Sequence, residues 1–265
     1  MSSTSTDTAF LAGVEVFFFD VIGTVLDWKG SVPKQLRVVV NVEAAVDWTR
    51  FVVEWRTAFW NKLEPLASEE TVRPGAIDII QREALDTLLS TPPWSHLGEL
   101  WDDQKRQEAV TMWHKLNGWP DSSRALYALK KHAVISTLAN GSVRQFVDIA
   151  KHADLPWDVV LTGELLGGYK PNPAIYHAAL AHLSVTPAQC CMVAAHAYDV
   201  RAAGALGVRT VYVRRETEDQ EAVEGQGRLC DSVRPKSEGG DVDLVVESLD
   251  ELVRVVERVK GAAAA

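Results

Sequence analysis

The sequence predicts an α/β protein: a doubly wound parallel sheet into which a helical segment is inserted. Three observations carry this. Five short apolar runs recur along the chain and are nearly continuous rather than alternating, as strands covered on both faces are. Helical segments lie between them, and such strand–helix alternation builds a Rossmann-like parallel sheet. One stretch, residues 28–118, breaks the alternation with helical periodicity and no convincing strand.

The first apolar run, residues 14–19, ends abruptly on Asp20, and a tight Gly23-Thr24 turn follows. One carboxylate is thereby held where exposed backbone N–H groups can surround a reacting group, with Val21 and Ile22 beside it. Ile22 cannot carry a proton, so the site is built for a carboxylate that works without a neighbouring acid. In the inserted stretch, Phe51, Val52, Trp55, Phe59 and Leu63 form one stripe at helical spacing. Residues 28–118 therefore read as a helical cap, and 1–27 with 119–265 as the α/β core. The other runs are 133–138, 158–162, 191–195 and 209–213. A helix at 173–180 begins with Asn172 as N-cap and Pro173 in its first turn. Another at 199–206 is Ala-rich and stops at Gly207. Residues 217–240 are polar and Gly-rich and read as a mobile loop. Residues 242–246 and 249–259 read as a last strand and helix, and the tail 261–265 is expected to fray.

With 265 residues, 47% hydrophobic and 24% charged, the chain has ordinary globular composition. Its net charge of −9 without a basic stripe argues against nucleic acid and anionic membranes as partners. A small anion is still admissible, since a cationic pocket can sit in an acidic protein. The three cysteines, Cys190, Cys191 and Cys230, show neither a disulfide framework nor metal-ligand spacing. The polar N-terminus lacks the features of a signal peptide and no apolar run would span a bilayer, so a cytoplasmic location is the expectation.

In open α/β sheets ligands bind at the carboxyl ends of the strands. Asp20, Asn140, Lys170 and Asp199 each lie just after a predicted strand, so the topology brings them to one edge, facing the cap. Taken singly, each has a plainer reading. Asp20 and Asp199 suit turn or helix-cap positions, Asn140-Gly141 is a turn signal, and Lys170 before a proline is commonly a solvated loop residue. Arg56 beside an apolar stripe would be a snorkelling surface residue, Thr24 a turn cap, and Tyr176, Tyr198 and Trp60 packed aromatics.

Together and in this order the motifs carry more. Strand-Asp20 with Gly23-Thr24, then Asn140-Gly141-Ser142, Tyr169-Lys170-Pro171 and Asp199 resemble the haloacid dehalogenase superfamily. Its phosphatases carry an Asp two residues after the nucleophile, Ser or Thr before the Asn-Gly pair, and an acidic metal ligand five residues before the last Asp. These positions hold Ile22, Ala139 and Ala194. The chain is more similar to the type II L-2-haloacid dehalogenases, whose cap Trp-Arg pair matches Trp55-Arg56 and whose third-motif Tyr matches Tyr176. Their fourth motif corresponds to residues 194–199, with Tyr198 at its aromatic position.

The resemblance implies a two-step displacement without metal or cofactor. Asp20 would displace halide from a small (S)-2-haloacid and form an ester, which water then cleaves. Arg56, Asn140 and Tyr198 would cradle the halide, and Trp60 would line an apolar pocket. Lys170 would keep Asp20 ionised and pair with the substrate carboxylate, and Thr24 would position Asp20. Asp199 would orient or activate the water. Ala139 lacks the family's substrate-binding hydroxyl, its backbone N–H remaining as donor, and His196 stands where the family has Asn. A neutral imidazole there, titrating near ~6.5, would suit a general base. Asp199 and His196 both stay open for that task. A homodimer through cap helices also follows from the resemblance alone. The alternatives are a phosphatase or phosphonatase of the same fold, and a non-catalytic descendant that binds a small anion or a protein.

Overall fold

The computed structural model describes residues 8–39, 46–68, 73–223 and 227–263. The polar N-terminal residues 2–7 lie outside the described residues. A six-stranded, wholly parallel sheet forms the centre. In chain order its strands are β1 (Val16–Phe19), β4 (Val134–Ala139), β5 (Val159–Thr162), β6 (Cys190–Ala194), β7 (Arg209–Val213) and β10 (Leu244–Val246). They lie in the order β10-β7-β6-β1-β4-β5, so the first strand is central and its two neighbours pair with it residue for residue.

All four residues of β1 are buried, because its side chains alternate between two apolar layers. Phe17 and Phe19 join one cluster, and Val16 and Phe18 join the other. The second cluster holds residues of helices α9 (Pro173–His182) and α10 (Ala197–Ala205). The first runs into α12 (Leu249–Ala263) and α6 (Ser122–Leu129) and on into a helical layer. The expected caps hold: Asn172 accepts the Ala174 N–H at 3.0 Å, and Gly207 takes a positive φ of 83° just after α10.

Between β1 and β4 the chain forms α1 (Trp28–Val39), α2 (Trp48–Leu63), α3 (Ala76–Leu89), α4 (Ser95–Leu100) and α5 (Asp103–Thr111). The aromatic content of this region is its core: Trp48, Phe51, Trp55, Trp94, Trp101 and Trp113 are all buried, many ring against ring. Three expectations are corrected. Residues 28–118 do hold a strand, since β3 (Asn117–Gly118) pairs antiparallel with β2 (Leu26–Asp27). A strand of two residues leaves no periodicity to read. Residues 217–240 are structured in their described part, with β8 (Ala222–Val223), β9 (Gly227–Arg228) and the short α11 (Leu229–Ser232), and two of their carboxylates are anchored in the interior. The last helix runs to Ala263, past the expected point of fraying, while 264 and 265 lie outside the described residues. No described helix is long and apolar enough to cross a membrane.

Candidate active site

The carboxyl ends of β1, β4 and β6 converge below α2 and α3. Asp20 follows β1, its N–H bonded to the Val193 carbonyl at 3.0 Å. Its side chain is buried and both oxygens are engaged. Oδ1 accepts from Lys170 Nζ at 3.0 Å, and Oδ2 accepts from Thr24 Oγ1 at 2.8 Å and faces His196 Nδ1 at 3.0 Å. Burial alone would raise the Asp20 pKa, but the Lys170 ammonium, with His196 and Thr24, outweighs it and holds the carboxylate well below its usual range. Thr24 is itself fixed by accepting the Ala195 N–H at 2.8 Å.

Lys170 bridges Asp20 and Asp199, and Asp199 also accepts from the Tyr176 hydroxyl at 2.6 Å. Asp199 is fully enclosed, and desolvation raises its pKa against the pull of Lys170. Lys170 is desolvated too, yet the two carboxylates keep its pKa raised. Asn140 brackets the Lys170 peptide: its Oδ1 accepts the Lys170 N–H at 2.7 Å and its Nδ2 donates to the Lys170 carbonyl at 3.0 Å.

His196 departs most from expectation. Its Nε2 lies 3.0 Å from Glu218 Oε2, so each ring nitrogen faces a carboxylate. Burial lowers its pKa, but hydrogen bonds and charge from Asp20 and Glu218 prevail and push it up to about 10. The ring is therefore an imidazolium at neutral pH, not the neutral group with an ordinary pKa. Glu218 is correspondingly held at about 2 despite its burial, chiefly by His196. It also accepts from the Trp28 indole at 2.8 Å. Its neighbour Asp219 accepts the Ala197 N–H at 2.7 Å and the Tyr212 hydroxyl at 2.9 Å, tying the loop to the start of α10. Sequence reasoning missed Glu218. The signal was its place just after β7, at the edge that collects the other polar groups.

A cavity of about 30 Å³ opens over Asp20. Ile22, Ala139, Asn140, His196, Tyr198, Arg56 and Trp60 line it, and so do Gln81 and Gln145, which the sequence did not single out. Arg56, nine-tenths buried, lies over the Trp28 ring at 4.7 Å and the Trp60 ring at 5.7 Å. Among the described residues its guanidinium has no hydrogen-bond partner. Desolvation lowers its pKa, but an Arg keeps its charge. The Tyr198 ring stacks on His196 and meets Trp60 edge-on. The N–H groups of Val21 and Ile22 form no hydrogen bond in the described turns. The predicted set thus gathers at one place, with Tyr176 one shell out, behind Asp199.

A divalent metal does not suit this donor set. Magnesium takes near-octahedral oxygen ligands, whereas Asp20 and Asp199 share Lys170, and Ile22 and Ala194 offer no oxygen side chain. Among the described residues no group of three or more His, Cys, Asp or Glu side chains is placed to hold a metal ion.

Residues 14–207 match the model of haloacid dehalogenase-like hydrolases. The chain belongs to this family. It is similar to (S)-2-haloacid dehalogenase 1 of Pseudomonas sp. (strain CBS-3), with 25% identity over 77% of this chain and 86% of that protein. It is also similar to (S)-2-haloacid dehalogenase 4A of Burkholderia cepacia, with 28% identity over 75% and 82%. Among solved structures it resembles the L-2-haloacid dehalogenase PA0810, with a TM-score of 0.77 and 29% identity over 95% of this chain and all of that one.

Proposed function

We propose that this hydrolase cleaves the carbon–halogen bond of small (S)-2-haloacids, without a metal, through an ester on Asp20. The observation that carries the reading is an ionised, buried carboxylate with apolar Ile22 in place of an acid, opposite a buried Arg56 with unpartnered donors. Under this reading helices α1–α5 act as the cap.

One Asp20 oxygen attacks C2, the C–halogen bond breaks, and the halide leaves with its electron pair. Halide needs no proton on departure, so Ile22 is no loss. It does need a cation or polar hydrogens at its exit, and Arg56 supplies them between two indole rings. Asn140, whose Nδ2 already serves Lys170, contributes one remaining N–H. Tyr198 contributes its ring edge. Lys170 is shared between Asp20 and Asp199, so it sets the charge of the nucleophile and lies near the substrate carboxylate.

Alkylation removes the Asp20 charge and with it part of the support for imidazolium. His196 then falls toward an ordinary pKa, releases its proton, and becomes a base whose tautomer Glu218 fixes. It takes a proton from the water that attacks the Asp20 carboxyl carbon, while the N–H groups of Val21 and Ile22 receive the developing oxyanion. Collapse then breaks the bond from that carbon to the alkyl oxygen, which takes the His196 proton and leaves as the 2-hydroxyacid. The regenerated Asp20 carboxyl returns its proton to His196. Asp199, with both oxygens committed to Lys170 and Tyr176, orients Lys170.

The test is chloride release from (S)-2-chloropropanoate with a chelator present, run beside aryl phosphate cleavage with magnesium. Chelator-resistant chloride release is expected. Phosphate cleavage alone would overturn the reading in favour of a phosphatase, and silence in both assays would point to a binding role.

A further inference from the structure

The loop that brings Lys170 to Asp20 also reaches the cap. It leaves β5 through the short α8 (Gly163–Leu166) and ends at Asn172, the N-cap of α9. Thr162 caps α8, its Oγ1 accepting the Leu165 N–H at 3.2 Å, and the Glu164 N–H donates to the Gly141 carbonyl at 3.4 Å. The Gly168 N–H returns to the Gly163 carbonyl at 3.0 Å. The backbone under Glu164 is thus fixed to the same segments that hold Asn140 and Lys170.

From that base the Glu164 carboxylate crosses to the first turn of α3. Oε2 accepts the Gly75 N–H at 2.6 Å, and Oε1 accepts the Ile77 N–H at 2.8 Å. α3 has no side-chain cap of its own, because its N-cap is Gly75. A helix start leaves N–H groups unpaired and carries partial positive charge, so a carboxylate brought from the other domain both pairs and neutralises it. Charged hydrogen bonds of this kind are roughly twice as strong as neutral ones. Farther along the loop, Asn172 makes a second crossing: its Nδ2 donates to the Ala67 carbonyl, past the end of α2, at 3.0 Å. The next residue of α3, Asp78, is tied through His114, whose Nε2 lies 3.1 Å from Asp78 Oδ1 and whose Nδ1 lies 3.1 Å from Asp148 Oδ2 on α7 (Val143–Ala153). Ile77 links these contacts to the chemistry. Its N–H is gripped by Glu164, and the residue is buried and lines the cavity over Asp20.

We propose that Glu164 is a positioning residue that clasps the cap onto the sheet domain, holding α3 closed over Asp20. This rests on the dehalogenase reading and adds to it a residue outside the reacting groups. In the free enzyme the clasp keeps the closed, substrate-binding arrangement populated. Without it, part of the binding energy goes into closing the cap, and the apparent affinity falls with the closed fraction. Bound substrate holds the cap shut again, and the displacement at C2 and the hydrolysis at Asp20 proceed as before. The clasp therefore acts on KM rather than on kcat. A merely structural role does the opposite: loss of folded protein lowers the active concentration, and with it the apparent kcat, and leaves KM unmoved.

The test measures kcat and KM for chloride release from (S)-2-chloropropanoate in the wild type, Glu164→Gln and Glu164→Ala. Acrylamide quenching of tryptophan fluorescence is read on the same proteins without substrate. Gln has the same shape and keeps one acceptor, but sets its NH2 against the other backbone N–H. KM should rise in the order Glu, Gln, Ala and reach about tenfold in Glu164→Ala, the scale of one lost charged hydrogen bond, with kcat within about threefold. Quenching should rise in the same order, because opening exposes Trp60 and Trp113, which line the cavity. A lower kcat with KM unmoved, or wild-type quenching in Glu164→Ala, would overturn the proposal and leave Glu164 as a helix cap. Chloride release with KM the same in all three proteins would refute this inference alone. Quenching that rises in Glu164→Ala with no chloride from the wild type would support the clasp and refute the dehalogenase reading.

Discussion

Glu218 holds His196 from behind: its Oε2 lies 3.0 Å from Nε2, while Nδ1 of the same ring lies 3.0 Å from Asp20 Oδ2. Asp20 and Glu218 therefore share one proton-carrying ring, and alkylation of Asp20 switches that ring from partner to base. His196→Gln should leave ester formation largely intact and slow its hydrolysis by about 10²–10⁴-fold. The ester should then accumulate, visible as added mass on the Asp20 peptide after mixing with (S)-2-chloropropanoate. Glu218→Gln should do the same more weakly. Unchanged turnover with no adduct in His196→Gln would remove the ring from the mechanism and return the task to Asp199.

The same pair makes stability depend on alkaline pH. The folded His196 pKa, about 10, lies above the unfolded value of about 6.5. Its contribution is therefore fully present below about 6.5 and is lost as pH rises through about 10. Glu218 works at the other end: its folded pKa of about 2 lies below the usual glutamate range, so its contribution is lost as pH falls toward 2. Thermal melts should show Tm falling between pH 7 and 10.5, and Glu218→Gln should flatten that fall. A Tm that is level to pH 10.5 in the wild type would contradict the imidazolium.

Arg56 is held by faces of indole rather than by carboxylates, over Trp28 at 4.7 Å and Trp60 at 5.7 Å. That leaves its N–H groups for an anion. Lys cannot stack as a planar cation, so Arg56→Lys is not conservative here. It should lower kcat/KM for a 2-chloroacid by about 10²-fold or more, the scale of a lost donor to a leaving anion. Inhibition by added chloride or bromide should weaken in parallel. Retained halide inhibition in Arg56→Lys would place the halide elsewhere.

Local sequence carried the sheet well, because strands buried on both faces must be continuously apolar, as 16–19 and 190–194 are. It also carried the polar edge, since Asp20, Asn140, Lys170 and Asp199 follow strands whose order topology dictates. What it could not carry depends on distant partners. The His196 charge state is set by a carboxylate 22 residues on, in a stretch whose polar, Gly-rich composition reads as a free loop.

Gly23 records that distant constraint. Its φ is +96°, and a Cβ there would stand 2.7 Å from Glu218 Cδ and 3.1 Å from His196 Cε1. The turn is thus glycine both for its backbone and to admit the Glu218 carboxylate. Gly23→Ala should push Glu218 off the ring, so that the His196 pKa, followed by imidazole NMR, falls from about 10 toward its ordinary value. Gly75→Ala separates strain from displacement: its φ is +80°, but nothing lies within 4 Å of the added Cβ. Both variants should lose more than about 1 kcal/mol of stability, the cost of Ala at positive φ. Only Gly23→Ala should move the His196 titration. If both move it, or neither does, the contact of Gly23 with Glu218 does not set the ring's charge.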